Sequence, residues 1–178
     1  MDKVRVYVDL NEMVTDNIVL LSKDDTKVDD RGSTITFYEG MPVSLYSDDM
    51  SDSGEIDNLI FEGTAIKYDL NNYSSWRHVK WCAHIDWDSF MHESDMRFLQ
   101  LLPIEIEKHP NDLLALQKIL VYFKNHGMNK DSMLKNLEKI KNQNNFKAKD
   151  ILMDLMDFVV GWCSQDLSIY KTYYHNHN

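Results

Sequence analysis

The sequence predicts an α+β protein: a small antiparallel β-sheet or SH3-like barrel over residues 1–92, followed by a C-terminal bundle of three to four α-helices over residues 93–178. Two independent changes near Ser94 support this division. Apolar residues recur with a period of two in the first half and with the 3.6-residue helical period in the second. The charge balance shifts at the same place, because residues 1–92 hold 18 Asp and Glu against 8 Lys and Arg, whereas residues 93–178 hold 11 of each. The whole formal charge of −10 therefore lies in the β-rich half.

The strands follow in order. Val4, Val6 and Val8 alternate with Arg5, Tyr7 and Asp9, as a half-buried strand requires. Ile18 to Leu21 form a short apolar run, and the polar stretch from Ser22 to Gly32 reads as a solvated loop. Strand signals return at Thr34 to Tyr38, turn at Glu39-Gly40 and resume at Met41 to Tyr46, where Pro42 suits a strand start or an edge that needs no ladder donor. An acidic turn, Asp48 to Asp57, leads to Leu59 to Tyr68, an Asn71-Asn72 break, and a last strand from His78 to Trp87. Short strands ended by Gly, Asn or Asp suit a strongly bent antiparallel sheet or small barrel.

In the second half, Ser94 is placed to cap a helix over Asp95 to Leu102 that Pro103 stops, with Pro103 to Pro110 as a connector. Asn111 is placed to cap a helix bearing Leu113, Leu116, Leu120 and Phe123, which Gly127 ends. Asn129 caps the next, with Met128 and Met133 as a hydrophobic staple and Leu134, Leu137 and Ile140 on one face. Beyond Asn142 to Asn145, Ile151, Leu152, Leu155, Phe158, Val159 and Trp162 make one wide apolar stripe, with Asp150, Asp154 and Asp157 as its solvated edge. Helices joined this closely pack as a bundle.

No stretch reaches the ~20 apolar residues of a membrane span, and the first residues lack the apolar core of a signal peptide. Cys82 and Cys163 stand alone, as thiols of a reducing compartment do, so a cytoplasmic location is expected. A field as negative as that of residues 1–92 repels phosphates and anionic lipid, which argues against nucleic acid or membrane as partner, and it speeds encounter with a basic protein. The bland alternative is that this acidity only keeps the protein soluble.

The expected contact residues are those of two acidic segments, Asp24, Asp25, Asp29 and Asp30, then Asp48, Asp49, Asp52, Glu55 and Asp57, joined by Tyr73 and Trp76. Aromatic residues in a polar loop are the anchors that interfaces prefer, although an aromatic lid over a barrel end explains Tyr73 and Trp76 equally well. The turn at Asp48 to Asp57 fails as a calcium loop: with Gly54 at the sixth position, the twelfth is Ile60, where a bidentate Glu belongs. His78, Lys80, Cys82, His84 and Asp86 share one face of the last strand, a pattern open to metal ligation or thiol catalysis. Residues two apart on a strand stand roughly 6.5 Å apart, too far for a Cys to His hydrogen bond. A polar face with Cys82 as a packing residue is the favoured reading, with no metal and no cofactor. Lys135, Lys139 and Lys141 read as a solvated helix face.

The runs Val4 to Asp9, Tyr38 to Val43, Phe61 to Gly63 and His78 to Cys82, together with Asp150 to Cys163, resemble segments of immunity proteins from bacterial contact-dependent growth inhibition and other polymorphic toxin systems. The resemblance covers about a third of the chain and carries no catalytic signature. It implies a protein that binds a cognate toxin domain; the acidity of residues 1–92 points to a basic nuclease as that toxin, and the absence of catalytic motifs to a protein that is no enzyme. The competing readings are a thiol-dependent enzyme using Cys82 with His84 or His78, and a scaffold module whose barrel binds peptides.

Overall fold

The structure, a computed structural model, describes residues 5–51, 53–73, 75–143 and 148–170; Val4, Asp52, Asn144 and Asn145 lie outside the described residues. Among these residues the chain forms eight strands and then four helices. The strands are β1 (Arg5–Tyr7), β2 (Met13–Thr15), β3 (Ile18–Ser22), β4 (Thr26–Val28), β5 (Thr34–Thr36), β6 (Met41–Ser47), β7 (Leu59–Ile66) and β8 (Trp81–His92). The helices are α1 (Glu93–Lys108), α2 (Leu113–Asn125), α3 (Lys130–Lys141) and α4 (Lys149–Val160). The chain divides into two compact units, one holding the described residues up to Asp49 with Ile56–Glu93, the other Met50–Glu55 with the residues from Ser94 onward.

In the β unit, six strands form a curled sheet in the order β1-β6-β7-β8-β3-β2. All of its pairings are antiparallel except β1 with β6, which run parallel. Alternation sends Val6, Val43, Leu45, Phe61, Ala65, Trp81, Ala83 and Ile85 to one face, where they form the main core. A smaller cluster of Val14, Ile18, Leu20, Leu70 and Cys82 is separate from it. Strand β3 feeds both clusters, so Ile18, Val19, Leu20 and Leu21 are all buried and the run shows no alternation. Gly63 is needed where β7 meets β8, because a Cβ there would lie 2.9 Å from both His84 O and Leu45 Cδ1.

Two details correct the sequence reading of this half. The stretch from Ser22 to Gly32 is no simple loop, since β4 lies within it and pairs with β5 as a separate ribbon. What holds β4 is the half-buried side chain of Lys27, whose Nζ donates to Tyr7 O at 2.7 Å and Leu21 O at 2.8 Å. Together with the Asp30 N–H, which donates to Arg5 O, this amine satisfies carbonyls of the edge strand β1. Strand β8 starts at Trp81 instead of His78 and runs on to His92.

In the helical unit, α1 continues through Pro103 instead of stopping there. Phe98, Leu102 and Ile106, spaced one turn apart, are all buried, and this burial outweighs the hydrogen bond that Pro103 cannot donate. Since α1 begins at Glu93, Ser94 lies within it and does not cap it. The cap of α2 is Asp112, not Asn111: its Oδ1 accepts from Ala115 N at 2.9 Å. Asn129 caps α3 as the spacing predicts, accepting from Ser132 N at 2.9 Å, and Met128 and Met133 are both buried. Helix α4 buries Leu152, Leu155, Phe158 and Val159 against α2 and α3. Its stripe ends one residue early, because Gly161 turns left-handed (φ +89°) and leaves Trp162 83% exposed. Gly127 is also left-handed, and a Cβ on it would stand 2.4 Å from Ser51 Cβ, so the bare glycine is what lets Met50–Glu55 sit with the helices. Among the described residues no helix is long and apolar enough to cross a membrane.

Candidate partner-binding site

The parallel register of β1 and β6 sets Tyr7 directly beside Tyr46. Because Val6 and Leu45 point into the main core, their neighbours Tyr7 and Tyr46 point out of the opposite face. The two rings meet edge to face, with centroids 5.5 Å apart at 68°. Partial burial pushes both phenols up from their ordinary range, and carboxylates add to this: Asp48, Asp9 and Glu12 act on Tyr7, Asp30 and Asp48 on Tyr46. Asp30 and Asp48, from two segments 18 residues apart in sequence, thus converge on one aromatic pair.

The carboxylates on this face are held by local chemistry. Asp9 caps a short 3-10 turn, Leu10–Glu12, by accepting from Asn11 N and Asn11 Nδ2, both at 2.8 Å. That turn fixes Glu12. Next to it opens a cleft of about 350 Å³ whose walls include Tyr7, Asp9, Glu12, Asp24 and Lys27. Burial lowers the pKa of Lys27, and Glu12 opposes that shift. Of the residues expected from sequence, then, Asp24, Asp30 and Asp48 come to one side of the β unit.

The others do different work. Asp25 is exposed but engaged: it pairs with Lys80 Nζ at 3.0 Å and accepts from Trp81 Nε1 at 3.1 Å, bonds that hold its carboxyl below the usual range. Asp29 is buried and builds a turn by accepting from Arg31 N at 2.9 Å and Ser33 N at 2.7 Å. Asp57 is likewise buried, 3.6 Å from His92 Nδ1. Neither presents a carboxylate to a partner, which corrects their assignment as contact residues. Asp49 is half-buried, Glu55 is exposed, and Asp52 lies outside the described residues. Tyr73 and Trp76 stack on each other (5.4 Å, 22°) and pack, half-buried, against the small cluster that includes Cys82.

Cys82 is 1% exposed and burial pushes its thiol up to about 11, the reverse of what a nucleophile needs. His84 is exposed, and its Nε2 shares a 2.9 Å hydrogen bond with Asn17 Nδ2. Among the described residues no three His, Cys, Asp or Glu side chains converge as metal ligands. Sequence reasoning overlooked Tyr7, Tyr46, Asp9 and Glu12. The outward position of Tyr7 between Val6 and Val8 was a visible signal, but the parallel pairing that brings Tyr46 to it was not. No protein-family model, no curated protein and no solved structure matches the chain.

Proposed function

We propose that this protein is an immunity protein that binds a cognate toxin domain, a basic nuclease, in the cytoplasm and neutralises it by covering its substrate groove. The observation that carries the reading is the Tyr7–Tyr46 pair among Asp9, Glu12, Asp30 and Asp48. Such a face attracts a positive surface over a long range, then offers two amphipathic rings for close contact. A nuclease groove, built to hold phosphates, has the complementary sign. The resemblance of the β1 and α4 segments to immunity proteins supports the same reading. A thiol enzyme draws no support from Cys82, whose sulfur is neither accessible nor ionised at neutral pH.

The test is coexpression with the toxin domain encoded by the adjacent reading frame. A tight one-to-one complex and restored growth are expected, both weakened by the double variant Asp30→Lys and Asp48→Lys. A toxin that kills regardless, with no complex on a sizing column, would overturn the proposal.

A further inference from the structure

A second surface lies within β8, on residues that the tyrosine face does not use. Opposite Phe61 of β7 the ladder breaks: Glu62 pairs with Asp86 and Ile60 with Met91, so Trp87, Asp88, Ser89 and Phe90 stand against one residue. Polar bonds fix this bulge. Ser89 Oγ donates to Asp86 O and accepts from Glu62 N, and Asp88 N donates to Asp86 Oδ1. Trp87 is fastened twice, by its Nε1–H donating to Asp16 O at 2.8 Å and by its ring against buried Phe61 at 5.9 Å. Phe90 continues the row at 6.2 Å from Trp87, with His92 a further 6.2 Å on. Yet Trp87 is 43% and Phe90 40% exposed. A fastened indole left in solvent is a preorganised anchor, since little side-chain entropy remains to be lost on binding.

The rim says what the anchor fits. Asp16, Asp86 and Asp88 are exposed, and no Lys or Arg occurs between Lys80 and Arg97. The carboxylates of Asp16 and Asp88 make no hydrogen bond or ion pair among the described residues. An aromatic face beside unpaired carboxylates suits a guanidinium, which stacks on the ring and donates in the plane of its fork. We propose that the Trp87–Phe90 bulge is a docking surface for an arginine side chain of a partner protein. The inference rests on the proposed function only for the partner's identity, because the surface itself can be tested without a toxin.

The probe is the peptide acetyl-Gly-Arg-Gly-amide, titrated into the ¹⁵N-labelled full chain while the indole N–H resonance of Trp87, assigned with Trp87→Phe, is followed. A saturable shift is expected, weaker with the lysine peptide and absent with the glutamate peptide. The double variant Asp86→Asn and Asp88→Asn keeps a side-chain oxygen at position 86 to accept from the N–H of residue 88, and it should weaken binding by about fivefold. Equal shifts with arginine and glutamate peptides, no shift at all, or a shift that tracks protein concentration alone would overturn the proposal, the last in favour of a second copy of this chain. Arginine binding that survives Asp30→Lys with Asp48→Lys separates this surface from the tyrosine face. Failure of the unsubstituted chain to bind the toxin domain, with its arginine response intact, would instead count against the immunity reading alone.

Discussion

Reversing two charges, Asp30→Lys with Asp48→Lys, probes the tyrosine face most directly. The carboxylates of Asp9, Glu12, Asp30 and Asp48 carry a formal −4 around the tyrosine pair, and the two reversals add +4, which offsets it. Both replaced residues act on Tyr46, and Asp48 also acts on Tyr7. Their carboxylates disfavour the phenolate, whereas ammonium groups in their place favour it, so both phenols should ionise at lower pH in the variant. Ultraviolet difference titration at 295 nm reads this without any partner. The second readout is kinetic. Steering accounts for ~10- to 1,000-fold in association rate, so loss of this face should slow association with the proposed toxin partner by ~10- to 100-fold at low salt. Dissociation should change far less. In 1 M salt, where the Debye length is about 3 Å, the difference should nearly vanish. Unmoved phenols would refute the convergence of Asp30 and Asp48 on Tyr46. An association rate equally low at both salt concentrations would refute steering.

Three further outcomes follow from packing. Cys82 should resist iodoacetamide in the native state, since a thiol at about 11 is only ~10⁻⁴ thiolate at pH 7 and its sulfur is covered; rapid native alkylation at Cys82 would contradict its burial. Gly63→Ala should destabilise the β unit by about 1–3 kcal/mol in urea unfolding, because the His84 carbonyl 2.9 Å from the new Cβ belongs to the backbone of β8 and cannot rotate away. Asn136→Ala should cost about 1–3 kcal/mol in the helical unit, because it removes the 2.6 Å bond from Nδ2 to Asp95 Oδ1 at a position 2% exposed; a change below about 0.5 kcal/mol would show that Asp95 finds another donor.

Much of the fold was legible because its signals are local. The period of two placed β1, β6 and β7, and the 3.6 period with Asn129 and Gly127 placed α2 and α3. The misses share a cause, which is that the deciding partner is distant in sequence. Pro103 reads as a stop until Phe98, Leu102 and Ile106 are seen to be buried together on both sides of it. Thr26 to Val28 read as loop because three residues carry little pattern, and the Lys27 amine that holds them reaches carbonyls on β1 and β3.

The candidate site was legible only in its sign, and the acidic residues explain why. Asp24, Asp25, Asp29 and Asp30 look alike in sequence, yet a carboxylate's availability depends on which donors surround it. Asp29 meets two backbone N–H groups, which turn it inward to build a loop, while Asp25 meets the Lys80 ammonium and the Trp81 indole. Donors of the first kind come from residues two and four positions away, so an Asp followed by Asp-Arg-Gly-Ser is a readable turn. Donors of the second kind lie 55 and 56 residues away, across the sheet, and no local pattern encodes them. Asp30 remains beside Tyr46 because its backbone N–H is spent on Arg5 O, at the edge of the strand that carries Tyr7. The contact that guards the sheet edge therefore also delivers a carboxylate to the aromatic pair, so that edge protection and the charge around Tyr46 depend on the same residue.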